Sequence, residues 1–267
     1  MLQKVDKKYN EIIRAAKAGG EVVKKYFGKS LKIEEKSMPC DFRTEADLKS
    51  EKAIISILKK AYPEYNILSE ESGEENNGSE YTLVIDPLDG TNNFSLGIPY
   101  FSISIGLVKN EELLFGAVYN PVLDNLYCAQ KGKGAYLNGK KISVNKESDI
   151  KKSSVSMVIS YNGSEEKAEN VAIDLYEKKD VKRVLTNWSV ILDLCLLASG
   201  KIEAIIISEI PLHDFVSGKL IAKEAGALVT NFDNSLENKE TNNKFLISNG
   251  TKVHKEVVEV LKANYGV

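Results

Sequence analysis

The chain has 267 residues, of which 36 are basic and 38 acidic, so its formal net charge is −2. This balance gives no reason to expect nucleic acid or an acidic membrane surface as a partner. The hydrophobic fraction of 43% is typical of folded globular proteins, and a chain of this length is expected to bury a large core in one or two domains.

The cysteines and histidines exclude two common kinds of site. Cys40, Cys128 and Cys195 are widely spaced and odd in number, so we expect free thiols and a cytoplasmic location. His213 and His254 are too few to build a zinc site of histidine and cysteine.

The first eight residues lack the apolar centre of a secretion signal, and the apolar runs are too short to cross a bilayer.

The first half of the chain predicts two helices followed by a series of strands. Apolar residues at helical spacing predict helices over 5–27 and 44–62, and residues 72–80 are predicted to form an acidic loop. The period then changes to two, and Asn138-Gly139 is typical of a hairpin turn. Strands are expected over 81–85, 101–108, 113–119, 125–130, 135–137 and 142–144.

In the second half, strands and helices alternate. Strands are expected over 153–159, 181–185, 202–207, 228–231 and 245–248, and helices over 165–178, 189–199, 214–225 and 252–264. The change of pattern predicts an α+β protein of two lobes, residues 1–148 and 149–267.

The hexapeptide DPLDGT at 86–91 is the most specific segment. It follows an apolar strand, and its proline starts a turn that brings Asp89 toward Asp86. Two facing carboxylates repel each other unless a cation lies between them, and such hard oxygen ligands favour Mg²⁺. Gly90 lets a ligand approach the backbone, and Thr91 is placed to begin a short helix whose free N–H groups suit phosphate.

Other interpretations of these residues stay open. The hexapeptide by itself could be an ordinary Asp-Pro turn, although its spacing fits neither an EF-hand nor a Walker A loop. Asp47 lies in a capping-box pattern, and Asp214 could cap a helix. Glu70 could be solvated loop charge, and Lys36 could be an ordinary surface lysine.

At this hexapeptide the chain resembles the inositol monophosphatase family, the magnesium-dependent, lithium-sensitive phosphatases whose signature is Asp-Pro-(Ile/Leu)-Asp-Gly-Thr. Related families include fructose-1,6-bisphosphatase and 3′-phosphoadenosine 5′-phosphate phosphatase. Further similar blocks follow the family's order over nearly the whole chain, at 36–47, 69–71, 132–139 and 213–227.

The resemblance implies a layered α-β-α-β-α sandwich, often dimeric, that binds two or three Mg²⁺ ions. The implied metal ligands are Glu70, Asp86, the carbonyl of Leu88, Asp89 and Asp214. The implied catalytic residues, which orient and deprotonate water, are Asp47 and Thr91, with Glu70 beside a third, weaker ion. The implied substrate contacts are Asp89, Gly90, Thr91, Ser189 and Asp214.

The chain departs from the family pattern in its second half. His213 replaces a tryptophan, Val216-Ser217 replaces Ala-Ala, and Trp188-Ser189-Val190 stands for a Gly-Thr/Ser-Ala loop. Ile207 falls where inositol-specific members have a glutamate, and isoleucine cannot accept a hydrogen bond from a substrate hydroxyl. The metal chemistry is therefore better supported than inositol as the substrate.

These features predict a Mg²⁺-dependent phosphomonoesterase that acts on a small phosphorylated metabolite, inositol 1-phosphate or a related sugar phosphate. The enzymatic alternative is a phosphatase for fructose 1,6-bisphosphate or 3′-phosphoadenosine 5′-phosphate, with Lys36, Arg43, Lys182 and Arg183 available for the second phosphate. A third interpretation, favoured by the altered segments, is a non-catalytic scaffold of the same fold. We expect a homodimer with no nucleic-acid or membrane partner.

Overall fold

The computed structural model describes residues 5–38, 41–159 and 165–267. These residues form seven α-helices, fifteen strands and three short 3₁₀ turns. The helices are α1 (Asn10–Tyr26), α2 (Glu45–Ala61), α3 (Thr91–Ser95), α4 (Glu165–Glu177), α5 (Val190–Ala198), α6 (Val216–Glu224) and α7 (Lys252–Tyr265). The 3₁₀ turns are Lys7–Tyr9, Ile150–Lys152 and Leu212–Asp214.

The strands form three sheets. Two strands, β1 (Ile33–Met38) and β2 (Asp41–Thr44), make a separate antiparallel hairpin. The largest sheet contains β3 (Asn66–Ser69), β4 (Gly73–Glu75), β5 (Tyr81–Asp89), β6 (Ser102–Lys109), β7 (Glu112–Asn120), β8 (Asn125–Gln130), β9 (Gly134–Leu137) and β10 (Lys140–Ile142). Its order is β10-β9-β8-β7-β6-β5-β3-β4, with β3 parallel to β5.

The third sheet has five strands in the order β12-β11-β13-β15-β14. They are β11 (Ser154–Ile159), β12 (Arg183–Leu185), β13 (Ala204–Ser208), β14 (Leu228–Thr230) and β15 (Lys244–Ser248). Strand β11 is parallel to both β12 and β13 because α4 and α5 return the chain between them.

The sheets and helices stack in five layers. Helices α1 and α2 pack on one face of the eight-stranded sheet, and α5 and α6 fill the space between the two large sheets. Helices α4 and α7 cover the outer face of the five-stranded sheet. Successive side chains of β13 point to opposite faces of the sheet and so join two of these cores. Ile205 lies in the middle core and Ile206 in the outer one. The α-β-α-β-α sandwich is therefore confirmed.

A close helix–sheet contact fixes the start of α6. Gly106 and Gly116 face each other across β6 and β7. A Cβ added at Gly116 would lie 2.7 Å from the carbonyl oxygen of Ser217, and one added at Gly106 would lie 2.4 Å from Cγ1 of Val216. Only glycine at these two positions lets α6 come this close, and the contact positions the segment that carries Asp214.

Several predicted elements differ from the observed ones. The short strands β1 to β3 were not expected, and the predicted acidic loop 72–80 contains β4. The helix predicted from residue 214 begins at Val216, so the capping interpretation of Asp214 is wrong and Phe215 is the N-cap. The predicted boundary near 148 lies between β10 and β11, and the division into two lobes remains a prediction because the middle core packs on both sheets.

The described residues contain no helix that is long and apolar enough to span a membrane. Cys128 and Cys195 are buried and free, as expected. Cys40 lies outside the described residues.

Candidate active site

The hexapeptide ends strand β5 in a bulge. Asp86 pairs with Ser104 and Asp89 pairs with Ser102 on β6, and the register shifts between the two pairs. The Oδ1 atom of Asp86 accepts a hydrogen bond of 2.9 Å from the backbone N–H of Leu88. Asp86 and Asp89 are both buried, with 1% and 7% of their surface exposed.

After Asp89 the chain turns through Gly90 into α3. Gly90 has φ of 89°, and α3 starts at Thr91 as expected. A Cβ at Gly90 would lie 3.0 Å from the carbonyl oxygen of Tyr100 and 3.2 Å from Cβ of Ser189. Glycine is required here both for the left-handed backbone and for the close approach of the neighbouring loops.

Asp47 on α2 is both a helix cap and a partner of Thr91. The backbone N–H of Thr44 donates to Oδ2 of Asp47 at 2.8 Å, completing the predicted capping box. The hydroxyl of Thr91 lies 3.1 Å from Oδ1 of Asp47 and 2.9 Å from the carbonyl oxygen of Leu88. Burial raises the pKa of the fully buried Asp47 carboxyl to about 7.

Glu70 follows β3, beside the hexapeptide strand. Its backbone N–H donates to the carbonyl of Ile85 at 3.1 Å. Lys36 Nζ lies 2.8 Å from Oε1 of Glu70 and 2.6 Å from Oε1 of Glu71, so neither glutamate is simply solvated loop charge. Burial opposes the charge of Lys36, but the charge of Glu70 and the hydrogen bonds raise the pKa of this lysine above its ordinary value.

Asp214 reaches the site from the opposite half of the chain. It ends the 3₁₀ turn just before α6, whose first turn is fixed by a hydrogen bond of 2.5 Å between the hydroxyls of Ser104 and Ser217. His213 Nε2 lies 3.3 Å from Oδ1 of Asp214. Burial and the nearby Lys36 lower the pKa of His213 to about 4, so this imidazole is neutral at pH 7.

Three acidic side chains act electrostatically on the buried carboxyl of Asp86. Burial raises the pKa of Asp86 well above its ordinary value, and the charges of Glu70, Asp89 and Asp214 raise it further. These residues come from three separate stretches of the sequence, and the fold brings them within electrostatic range of a buried carboxyl. Burial also raises the pKa of Asp89, although hydrogen bonds from Ser189 and Ser102 oppose that rise.

Ser189 joins the loop before α5 to the hexapeptide. Its hydroxyl donates to Oδ2 of Asp89 at 2.5 Å, and that of Ser102 donates to the same oxygen at 3.3 Å. The predicted substrate contact at Ser189 is therefore buried against Asp89, with 1% of its surface exposed.

Three supporting residues were not expected from the sequence. Glu51 on α2 accepts hydrogen bonds from the hydroxyls of Ser69 and Ser72 and so holds the Glu70 loop. Asn93 donates to the carbonyl of Asn187 at 2.8 Å, and Asp193 accepts from the Asn187 side chain at 2.8 Å. The signal available in the sequence was only that polar residues occur at core positions of helices.

The donor set suits a hard divalent cation, because it consists of carboxylate and carbonyl oxygens around the buried Asp86. In residues 5–38, 41–159 and 165–267, however, no group of three or more Asp, Glu, His or Cys side chains is already arranged to hold a metal ion. In this arrangement Glu70 contacts Lys36, and Asp89 accepts a hydrogen bond from the hydroxyl of Ser189.

The other residues singled out in the sequence lie in different elements of the fold. Ile207 is fully buried in the middle core, so it packs between the two large sheets. Lys182 and Arg183 are exposed at β12. Arg43 lies closer, with its guanidinium 3.0 Å from Glu34 and 3.4 Å from Glu71.

Known sequences resemble this chain over most of its length. The model of the inositol monophosphatase family matches residues 4–264. A fructose-1,6-bisphosphatase/inositol-1-monophosphatase of Aquifex aeolicus is 40% identical over 84% of this chain and 86% of its own. A protein of Xylella fastidiosa named Nus factor SuhB is 32% identical over 96% of this chain and 95% of its own.

A solved structure shows the same architecture. An IMPase of Thermotoga maritima superimposes with a TM-score of 0.86 at 29% identity, covering 98% of this chain and 99% of that one. Sequence and fold agree over nearly the full length, and together they define the relationship. The chain belongs to the inositol monophosphatase family.

Proposed function

We propose that this protein is a Mg²⁺-dependent phosphomonoesterase of a small phosphorylated metabolite, inositol 1-phosphate or a related sugar phosphate. The convergence of Glu70, Asp89 and Asp214 on the buried Asp86 carries the proposal. Such a cluster of negative charge is unfavourable by itself and favourable around divalent cations. Membership of the family supports the phosphatase class.

The assignment of ligands is the one that the family resemblance implies, and the effect of Glu70, Asp89 and Asp214 on the buried Asp86 supports it. Glu70, Asp86 and the Leu88 carbonyl would hold one ion, and Asp86, Asp89 and Asp214 a second, with a third near Glu70. Bound Mg²⁺ would neutralise phosphoryl oxygens and lower the pKa of a water molecule. We expect Li⁺ to inhibit the enzyme at millimolar concentration by competing at the second position.

The chain's own groups would position the water and the phosphate. Asp47 has a pKa near 7, which suits proton transfer near neutral pH, and its carboxylate contacts the Thr91 hydroxyl. The backbone N–H groups of Gly90 and Thr91, at the start of α3, would donate to phosphate oxygens. Asp47 and Thr91 would thus orient the attacking water.

The direct test is phosphate release from inositol 1-phosphate, fructose 1,6-bisphosphate, 3′-phosphoadenosine 5′-phosphate and glycerol 2-phosphate, with and without Mg²⁺. We expect at least one compound to be hydrolysed only when Mg²⁺ is present. Folded protein that hydrolyses none of them with Mg²⁺, or hydrolyses them equally in a chelator, would contradict the proposal. Size-exclusion chromatography with light scattering tests the proposed homodimer.

A bisphosphate phosphatase is the second candidate. Lys36 and Arg43 both contact Glu71 at the edge of the site. Two positively charged side chains are therefore available there for a second phosphate. The name of the Aquifex relative also combines both activities. A higher kcat/KM for a bisphosphate than for every monophosphate would favour this candidate, while Mg²⁺ binding without any turnover would favour a non-catalytic scaffold.

A further inference from the structure

Trp188 combines exposure with an unusual backbone. It is the only tryptophan in the chain, and 60% of its surface is exposed. Its φ is 55°, in the left-handed region that bulky residues rarely adopt. A glycine would take this conformation without strain, so a tryptophan here needs a reason other than the turn.

Both sequence neighbours of Trp188 form hydrogen bonds with residues at the candidate site. On one side, Asn187 accepts through its carbonyl from Asn93 of α3 and donates through its side chain to Asp193. On the other side, the Ser189 hydroxyl donates to Asp89. The strained residue is therefore held in place by hydrogen bonds on both sides.

These bonds also place Trp188 beside the proposed phosphate-binding turn. A Cβ on Gly90 would lie 3.2 Å from Cβ of Ser189, so the two backbones are in close approach. Consecutive Cα atoms are about 3.8 Å apart, so the Cα of Trp188 lies about this far from the Cα of Ser189, the residue that contacts Gly90. The exposed indole consequently starts at the edge of the site.

We propose that Trp188 determines substrate specificity by stacking on the ring of the group that carries the phosphate. This inference rests on the proposed phosphatase function. The indole face offers a flat apolar surface, which suits either the face of a nucleobase or the C–H face of a sugar or cyclitol ring. An open-chain phosphate ester has no such face and would gain little from the contact.

The first test uses Trp188 as its own reporter, because no other tryptophan contributes to the emission. Stopped-flow fluorescence of the full chain with Mg²⁺ is recorded on mixing with adenosine 5′-monophosphate, inositol 1-phosphate, glycerol 2-phosphate or inorganic phosphate. We expect a saturable change in emission with one of the two ring compounds and a much smaller one with the other two probes. The two ring compounds distinguish a nucleobase from a cyclitol. Equal responses to all four, or none, would overturn the proposal.

The second test is the Trp188→Gly variant, which relieves the left-handed strain and should not unfold more easily than the wild type. Its kcat/KM for the preferred ring substrate should fall about 10-fold more than that for glycerol 2-phosphate, mainly through KM. Trp188→Phe keeps a ring and should recover part of the preference. Asn234→Gly is the matched control, since Asn234 is exposed, has φ of 73° and lies outside the site.

The outcomes separate this inference from the function on which it rests. If the wild type hydrolyses glycerol 2-phosphate and Trp188→Gly lowers all substrates equally, the stacking role is wrong and the phosphatase stands. If nothing is hydrolysed, the function fails, and the fluorescence titration alone decides whether Trp188 contacts a ring. A change of oligomeric state in Trp188→Gly would instead assign the side chain to a subunit contact and overturn the proposal.

Discussion

The ammonium group of Lys36 lies 2.8 Å from Oε1 of Glu70, at the edge of the acidic cluster. The lysine therefore holds a carboxylate that the proposed metal site needs. Side chains of both residues are partly buried, with 23% and 22% exposed, so this ion pair is screened less than one on the open surface. The ammonium bound to Oε1 reduces the negative charge that Glu70 offers to a metal ion.

This charge effect makes Lys36→Gln an informative variant. Removing the ammonium removes a positive charge near the site, so Mg²⁺ should bind roughly 3- to 10-fold more tightly. Isothermal titration calorimetry measures the dissociation constant. Lys36→Arg, which keeps the charge, should bind Mg²⁺ like the wild type. Weaker binding in Lys36→Gln would show that Lys36 supports the metal site.

Asp86→Asn should have opposite effects on stability and activity. Asparagine keeps the Oδ1 acceptor for the Leu88 N–H and removes a carboxyl whose charged form is unfavourable among Glu70, Asp89 and Asp214. In a chelator, the free energy of unfolding should rise by about 1–3 kcal/mol. Phosphate release with Mg²⁺ should fall more than about 100-fold.

Urea denaturation and the phosphate assay together check this prediction for Asp86→Asn. In the wild type, Mg²⁺ should raise the urea midpoint, and in the variant it should not. A rate of phosphate release in Asp86→Asn equal to that of the wild type would contradict the assignment of Asp86 as a metal ligand.

The elements that the sequence predicts best carry signals at both ends. Helix α2 was predicted within one residue, because Thr44 and Asp47 form its capping box and Pro63 follows its end. Strand β3 has only four residues, and its pairing with β5 decides its conformation, so no local pattern indicated it. Pairing between strands that lie far apart in the chain therefore cannot be predicted from the local pattern of a single sequence.

The same distinction holds for the candidate site. Asp86 and Asp89 lie in one compact motif, whose turn already suggests that they face each other. Glu51 and Asp193 were missed because their hydrogen-bond partners lie elsewhere in the chain, 18 residues away for Ser69 and 37 for Ser156. Ile207 is buried between the sheets, a placement that depends on how the two large sheets stack.

Thr91 tests the proposed proton path. Thr91→Val keeps the shape of the side chain but removes the hydroxyl that contacts Asp47 and the Leu88 carbonyl. The kcat should fall by about 100- to 10,000-fold, because a positioned group for proton transfer is worth this much. Thr91→Ser restores the hydroxyl and should recover most of the rate. Equal activity of the Val and Ser variants would remove Thr91 from the mechanism.

His254 predicts a pH dependence of stability that is separate from the site. Burial lowers its pKa from 6.5 to about 4, and its ring contacts the hydroxyls of Ser248 and Thr230. Below pH 6.5 the unfolded chain binds a proton that the folded chain excludes, so stability present above pH 6.5 is lost as pH falls toward 4. This loss should reach about 2–3 kcal/mol.

Denaturant unfolding of the wild type and His254→Asn between pH 7 and pH 4 isolates this contribution. The variant should lose less stability over this range, while His213, which is present in both proteins, cancels in the difference. Parallel pH profiles for the two proteins would contradict the assignment to His254.

Anomalous diffraction from crystals grown with Mn²⁺ and phosphate tests the metal cluster most directly. We predict at least two anomalous peaks, each about 2–2.5 Å from the nearest carboxylate oxygens. One peak should contact Glu70 and Asp86, and the other Asp86, Asp89 and Asp214. Absence of a peak at saturating Mn²⁺, or a peak that contacts only one of these carboxylates, would contradict the account.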